Sequence, residues 1–577
     1  MDNALQPITM MTPSLHILPF SRRGSWMNLY RKNPGTFYGG NPSAPLSLRV
    51  VAGTLWEEAE IFGLDLERDG LPVPWTEELT PSLLILRETN GSGMVQIAFQ
   101  DADNLRLRTE GVTLRLDLRR GKPFRLGQTG WGVRAGSCSW LLLSSLSGNL
   151  SVEKKERWIL RLESESSPAE LLVHRTSSGG VPPEARGSLE DCATASRADF
   201  ESWSKAFPET PPEFSALRER ELWNVWNLVA HPLGNFRREI VLVSKGYLVG
   251  LWSWDHCWHM LGTAAIDPEL SWNSFMALFD HQDEQGALPD VICANQLLWG
   301  ILKPPVHGWM LGLLEARHSW FGDKHRREIY PALARMTHFW LRERDEDRDG
   351  IPHYLDGCDS GCDNATVFDK GFPIETPDLA TWLVLQQEWL AHTARRLGLE
   401  AEAVEWEDGA RTMLAKLLDH FWTGDRFVAR MSGNHEAVPS ESLLLRVPLL
   451  LGNRLPKEAM LWCLEGLLPG GCYRAPFGLL TEPRESPLFD GDGYWRGPMW
   501  PVTVFIFVEA LRLNGLKAES EALVHDYLRH VEAVGNFENY RGDNGQGVRD
   551  TSIAWTSTCV LSFLTDLTAS ATAHRQA

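Results

Sequence analysis

Cys358-Asp359-Ser360-Gly361-Cys362-Asp363-Asn364-Ala365-Thr366-Val367-Phe368-Asp369 puts three carboxylates around Gly361, shortly after Gly350-Ile351-Pro352. Glycine and proline at this density break a helix and let the backbone turn sharply. The stretch therefore reads as a loop between two helices, holding Asp363 outward. On either side the apolar residues step at helical spacing. Upstream, Trp309, Leu313, Ala316 and Trp320 step four, three, four, and Trp272, Phe275 and Phe279 follow the start signal Asp267-Pro268. Downstream, Thr376-Pro377-Asp378 supplies an N-cap, a proline at the first position and an acid in the first turn. The helix behind it runs to a stop at Gly398, and Val504, Val508 and Leu511 continue the pattern before Gly515. From Pro211 onward about twelve helices can be counted, centred near 222, 260, 275, 313, 335, 387, 411, 445, 461, 506, 526 and 561. Twelve helices make six hairpins, and six hairpins can close into an (α/α)6 barrel whose loops at one end form a pocket. Periodicity alone does not separate this from an α-solenoid, but no fixed-period repeat is present.

The first part of the chain has the other period. Leu105, Leu107, Val112, Leu114, Leu116 and Leu118 alternate with Arg106, Arg108, Thr113, Arg115 and Asp117, one face in and one face out. Many short strands at close spacing predict an antiparallel β-sandwich. Thr176-Ser177-Ser178-Gly179-Gly180-Val181-Pro182-Pro183 has linker composition. The expected organisation is a β-sandwich domain over 1–188, a linker with a helical connector over 189–210 and the helical barrel over 211–577.

Composition narrows the function classes. The 577-residue chain is too long for one ordinary core. Its formal net charge of −19 argues against nucleic acid or an anionic membrane surface as partner. No stretch approaches the roughly 20 apolar residues of a membrane span. Residues 1–24 show no apolar run of signal-peptide character, and nine cysteines spread through a large chain are not a disulfide scaffold. A cytoplasmic location is the resulting expectation, with no cofactor and no resident metal; a homo-oligomer is left open. Tryptophan is the anomaly, 25 against 9 tyrosines. Most of these indoles belong to the core, but indole faces also stack on the apolar faces of sugar rings.

A partner for Asp363 lies far downstream. Phe537-Glu538-Asn539-Tyr540 is followed by the glycine-rich stretch 542–547. Two carboxylates on separate loops with tryptophan around them is the arrangement that cleavage of a glycosidic bond needs. Two further stretches could wall a sugar pocket. Trp252-Ser253-Trp254-Asp255-His256-Cys257-Trp258-His259 opens a helix, and its bland reading is an aromatic cluster with Asp255 as N-cap. His256, Cys257 and His259 fall short of a structural metal motif, for which four ligands in recognisable pairs are the rule. Tyr494-Trp495-Arg496-Gly497-Pro498-Met499-Trp500-Pro501 presents Trp495 and Arg496 just outside a helix start; its bland reading is a packed loop. Asp345-Glu346-Asp347-Arg348-Asp349-Gly350 looks like the start of a calcium loop, but Arg348 and the missing glutamate at loop position 12 spoil it, so it reads as a solvated turn.

Ser360-Gly361-Cys362-Asp363-Asn364, the 494–501 stretch and Phe537-Glu538-Asn539-Tyr540, in that order, resemble glycoside hydrolase family 63, in particular its bacterial branch around mannosylglycerate hydrolase. The trehalases of family 37 are more distant relatives. Trp254-Asp255 and Lys303-Pro304-Pro305-Val306-His307-Gly308-Trp309 resemble further motifs of the same clan, so the likeness spans about 252–555. It implies an (α/α)6 barrel, often behind a β-sandwich, and inversion at the anomeric carbon. It puts Asp363 on the general acid, Glu538 on the general base, and Trp254, Asp255, Trp495, Arg496 and Trp500 on the pocket for the sugar being cleaved off. To the same substrate site we assign Gln282, His307, Trp309 and Tyr540. The chain departs from the family at Ala365-Thr366-Val367, where Ser-Pro-Arg is usual, and at Arg541-Gly542, where Asn-Pro is usual. Both departures bear on the leaving-group side.

The expected activity is thus an inverting, exo-acting α-glycosidase for a small α-glucosyl or α-mannosyl compound, such as a glucosyl- or mannosylglycerate or an oligosaccharide. A glycoside phosphorylase on the same plan would need a cationic pocket where Glu538 stands; a silent carbohydrate-binding protein would not need both carboxylates. Inversion asks for carboxyls roughly 6.5–9.5 Å apart. It also asks that Asp363 be kept protonated and Glu538 ionised, the latter by solvation from its glycine-rich loop.

Overall fold

The computed structural model describes residues 13–31, 46–55, 59–128, 130–164 and 167–576. Residues 1–12, half of the segment read for a signal sequence, lie outside the described residues.

The N-terminal part is two antiparallel sheets. One runs Met27–Tyr30, Leu46–Val50, Glu60–Arg68, Thr113–Leu118, Trp158–Glu163, Asn149–Lys154, with Leu71–Pro72 paired onto Glu60–Arg68. The other runs Phe124–Leu126, Gly130–Arg134, Trp140–Ser147, Ala169–Thr176, Asn104–Glu110, Met94–Asp101, Leu84–Glu88, Trp75–Leu79. Leu114, Leu116 and Leu118 are buried and Thr113, Arg115 and Asp117 are not, as a period of two requires. Asn104–Glu110 departs from that rule. Leu105 and Leu107 face the core, yet Arg106 is also buried, its guanidinium bound to Glu170 and the Gly187 carbonyl. The cause is helix α1 (Leu189–Ser204), whose Leu189, Cys192 and Ala193 pack on Ala98 and cover the outer face of this sheet. Ser188 caps α1, its hydroxyl accepting from the Asp191 N–H.

The remaining helices are α2 (Ser215–Leu228), α3 (Asp255–Thr263), α4 (Pro268–Phe279), α5 (His307–Arg317), α6 (Asp323–Glu343), α7 (Pro377–Arg396), α8 (Glu400–Phe421), α9 (Lys457–Glu465), α10 (Pro501–Leu513), α11 (Lys517–Val534) and α12 (Ala554–Gln576). Eleven of the twelve expected centres fall on these, and the twelfth, near 445, falls on Leu443–Arg454, which winds as 3-10 turns. Pro448 removes a helical donor there, and Gly452 leaves the helix at φ 58°. Asp267 caps α4 through the Leu270 N–H ahead of Pro268. Thr376 stands at the cap of α7 but makes no cap hydrogen bond, and Asp378 turns inward to accept from the Tyr354 hydroxyl at 2.9 Å.

Contacts settle the architecture. α3 touches α5, α5 touches α7, α7 touches Leu443–Arg454, that segment touches α10, α10 touches α12, and α12 returns to α3. This is a closed inner ring of six, not an open superhelix. The six outer helices α2, α4, α6, α8, α9 and α11 back onto it. α10 is buried all round, every residue from Pro501 to Leu511, as an inner helix enclosed by neighbours is. The segments entering α3, α5, α7, α10 and α12 therefore gather at one end of the ring. No helix among the described residues is long and apolar enough to cross a membrane.

Candidate functional site

The ring ends in a cavity of about 250 Å³. Asp363 reaches it from the loop between α6 and α7. Glu538 reaches it from the strand Phe537–Tyr540, which lies between α11 and α12 and pairs with Gly547–Thr551. Trp254 and Asp255 come from the start of α3, Trp495 and Trp500 from the loop entering α10, and Trp555 from α12. The cavity wall thus joins Asp363, Glu538, Trp254, Asp255, Trp495 and Trp500.

Local structure explains each placement. Gly361 has φ 74°, and a side chain there would put its Cβ 2.5 Å from the Trp254 ring. That close approach lets the acidic loop lie against the indole. Asp359, fully buried, accepts from the Leu302, Leu355 and Asp356 N–H groups and from Arg344 at 2.7 Å. It is a structural anchor for the turn. Asn364 ties this loop to the next: its Oδ1 accepts from the Trp495 N–H at 2.9 Å and its amide donates to the Gly493 carbonyl. Trp495 and Trp500 stack with ring centroids 3.8 Å apart and an interplanar angle of 7°, and Trp555 meets Trp500 edge-on. The aromatic wall is thereby rigid before any ligand arrives.

The electrostatics are dominated by burial. Asp363 keeps 30% of its side chain exposed, toward the cavity. Desolvation pushes its carboxyl up, and the Lys303 ammonium at 3.9 Å works against that shift. Lys303 lies between Asp363 and Asp290, 3.8 Å from the latter, and donates to the Cys358 carbonyl at 2.8 Å. Burial alone would lower Lys303, but the two carboxylates hold it above its ordinary value. Burial raises Asp255 to about 7 and Asp290 to about 6, with Lys303 opposing both.

Glu538 is not solvated. Its side chain is fully buried: the glycine-rich stretch is only the turn of a hairpin, whose second strand, Gly547–Thr551, lies beside the strand that carries Glu538. Desolvation, with the Asp550 charge adding to it, pushes Glu538 up to about 8. This corrects the sequence expectation of a low value. Its oxygens accept from the Tyr494 hydroxyl at 3.2 Å and the Asp550 N–H at 3.3 Å. Asp550 is held in turn by the Ser244 hydroxyl at 2.6 Å and the N–H groups of Tyr247 and Leu248. The 244–248 turn is gripped by the N-terminal sheet: Arg49 donates to the carbonyls of Lys245 and Gly246, and Asn28 to that of Lys245. The β-domain thus reaches the environment of Glu538, and its Leu55 lines the cavity directly.

Five expected substrate contacts do not line the cavity. Gln282 spends its amide on the Gly286 and Ala332 carbonyls and accepts from Arg335. His307 is fully buried against His256 and Phe279 and is held neutral by burial. Trp309 packs on Trp382 and Phe505 inside the ring. Tyr540 is fully buried and donates to the Gly535 carbonyl at 2.7 Å. Arg496 is a clasp, bidentate to Asp369 with its Nε on the Asn364 carbonyl. Conversely, Asp290, Lys303, Tyr494, Trp555 and Leu55 line the cavity without having been singled out. Lys303 and Tyr494 carried a signal, as the first residues of the motifs leading into α5 and α10.

The comparisons with known proteins agree with this picture. A family model described as a mannosylglycerate hydrolase MGH1-like glycoside hydrolase domain matches residues 249–556. The chain is 22% identical over 474 residues to mannosylglycerate hydrolase MGH1 of Selaginella moellendorffii, covering 68% of this chain and 93% of that one. It is also 22% identical to a glucosylglycerate hydrolase of Mycolicibacterium hassiacum, covering 54% and 91%. In fold it resembles the family 63 mannosylglycerate hydrolase of Thermus thermophilus solved with glucose, with a TM-score of 0.53 at 20% identity over 60% of this chain and 99% of that one. A bacterial glucoamylase solved with acarbose matches over 98% of this chain and 96% of its own, sheets included, with a TM-score of 0.58 at 11% identity. The chain belongs to the MGH1-like glycoside hydrolases of family 63.

Proposed function

We propose that this protein is an inverting, exo-acting α-glycosidase that hydrolyses a small α-glucosyl or α-mannosyl compound, such as a glucosyl- or mannosylglycerate. The observation that carries the reading is that Asp363 and Glu538, from opposite sides of the inner ring, line one small tryptophan-walled cavity. At about 250 Å³ it suits one sugar ring better than a long chain. Trp254, Trp495, Trp500 and Asp255 hold that ring. Asp363, raised and partly open to the cavity, protonates the glycosidic oxygen, while Glu538 removes a proton from the water that attacks the opposite face. The bond from the anomeric carbon to the leaving oxygen breaks as the bond to water forms, and the proton given by Asp363 leaves with the aglycone. Because Glu538 sits near 8, its ionised form is a minor species at neutral pH in the free enzyme.

The reading extends to the remaining expectations. We place the domain boundaries at 188 and 210, with α1 as connector. A cytoplasmic location is supported by nine cysteines that are all unpaired. A panel of α-glucosides and α-mannosides, each with an acidic and a neutral aglycone, tests the substrate class. Turnover of at least one supports the reading; turnover that depends on added phosphate would replace it with a phosphorylase.

A further inference from the structure

On the outer side of the loop that leads to Asp363, five metal-type side chains from four separate segments converge. Asp347 and Asp349 stand in the turn after α6, and Glu375 in the strand Ile374–Glu375 before α7. His420 is in the last turn of α8, and His435 lies between the strands Ala429–Met431 and Ala437–Val438. One ligand atom from each of Asp347, Asp349, Glu375 and His435 falls within 4.8 Å of the others, and the same holds for Asp349, His420 and His435. The two imidazole rings are 4.9 Å apart. None of the five lines the sugar cavity.

A solvated turn does not account for this arrangement. Glu375 is fully buried, and its Oε1 has no hydrogen-bond partner among the described residues, while Oε2 accepts from His420 Nε2 at 2.6 Å. A buried carboxylate oxygen left unmatched is costly. No lysine or arginine forms an ion pair with Asp347, Asp349 or Glu375 among the described residues; only the imidazoles reach them, His435 Nε2 lying 3.3 Å from Asp347 and 3.5 Å from Asp349. Three carboxylates thus share one spot with no lysine or arginine ion-paired to them among the described residues; the Lys416 ammonium nearby is spent on the Asp349 carbonyl. The outer support a metal needs is also present: the Gly433 N–H and the Ser432 hydroxyl donate to Asp347, and Arg430 fixes both histidine segments by donating to the carbonyls of His420 and His435.

We propose that Asp347, Asp349, Glu375, His420 and His435 bind a divalent transition-metal ion, zinc by the donor set. Imidazole nitrogen with carboxylate oxygen and no thiolate suits zinc, and the two imidazoles separate the site from an all-oxygen calcium loop. On binding, each ligating ring nitrogen offers its lone pair to the metal and gives its proton to solvent or to the other ring nitrogen. The ion would fasten the turn after α6, the strand before α7, the end of α8 and the 429–438 hairpin to one another, behind the acidic loop.

The full-length chain, stripped with a chelator and dialysed, is titrated with zinc chloride alone by calorimetry, with calcium and magnesium in parallel. The expected result is one zinc per chain, a melting temperature that rises with zinc, and binding at least about tenfold weaker in D349N/H435Q. Cobalt titration of the wild type keeps the test independent of any variant's folding. A ligand-field spectrum without a thiolate charge-transfer band is expected. No stoichiometric zinc binding, preference for calcium or magnesium over zinc, or a cobalt–thiolate band would each overturn the proposal.

Discussion

Replacing Glu538 by glutamine should abolish turnover and, at the same time, stabilise the fold. Folding carries the Glu538 carboxyl from its ordinary 4.5 to about 8 because it is buried beside Asp550. The folded state therefore holds this proton more tightly than the unfolded chain, so between these two values stability falls as pH rises. Each unit of difference is worth about 1.4 kcal/mol, which sets a ceiling of roughly 5 kcal/mol above pH 8 for the cost of the ionised base. Glutamine has the same shape, keeps an oxygen for the Asp550 N–H, and can donate to the Tyr494 hydroxyl. It carries no charge to desolvate. Its advantage over wild type should be about 1 kcal/mol at pH 5.5 and grow by about 3 kcal/mol by pH 8.5. Paired thermal or denaturant unfolding of both proteins at the two pH values reads this difference. Equal stabilities at pH 8.5, or a glutamine variant that is the weaker one there, would refute the buried, strained base.

Asp363→Asn should stop hydrolysis of a natural glycoside while sugar binding persists, and a substrate with a good leaving group should recover part of the rate; a near wild-type rate would mean the acid is misassigned. In the wild type kcat/KM should rise with pH as Glu538 ionises near 8, and Asp550→Asn should move that limb to lower pH by removing a neighbouring negative charge, read from pH–rate profiles. Gly361→Ala forces a side chain into φ 74° and onto the Trp254 ring; it should cost several kcal/mol of stability or at least tenfold in kcat/KM, where a neutral outcome would disprove the close packing.

The helical half was legible because an inner-ring helix repeats its apolar residues over several turns and its ends carry Pro, Asp and Gly. The one segment that winds differently, Leu443–Arg454, is the one holding Pro448 and Gly452. The sandwich strands were legible from alternation, except where Arg106 is buried by a helix far along the chain, which no local pattern records. For the site, loop position was readable and side-chain direction was not. Trp254, Asp255, Trp495 and Trp500 stand at helix entrances and meet at the cavity. His307 also begins a helix, but the phase of α5 turns it toward His256. The glycine-rich stretch after Glu538 suggested solvent, yet hairpin pairing covers the carboxylate. Leu55 and the Arg49 grip on the 244–248 turn depend on how two domains dock, which sequence periodicity does not encode.

The stereochemistry of the first product tests the central claim most directly. Proton NMR of a hydrolysing α-glycoside, recorded before mutarotation, should show the β anomer first, because water activated by Glu538 enters from the face opposite the leaving group protonated by Asp363. Appearance of the α anomer first would mean that Glu538 acts as a nucleophile or takes no part, and the inverting assignment would fall.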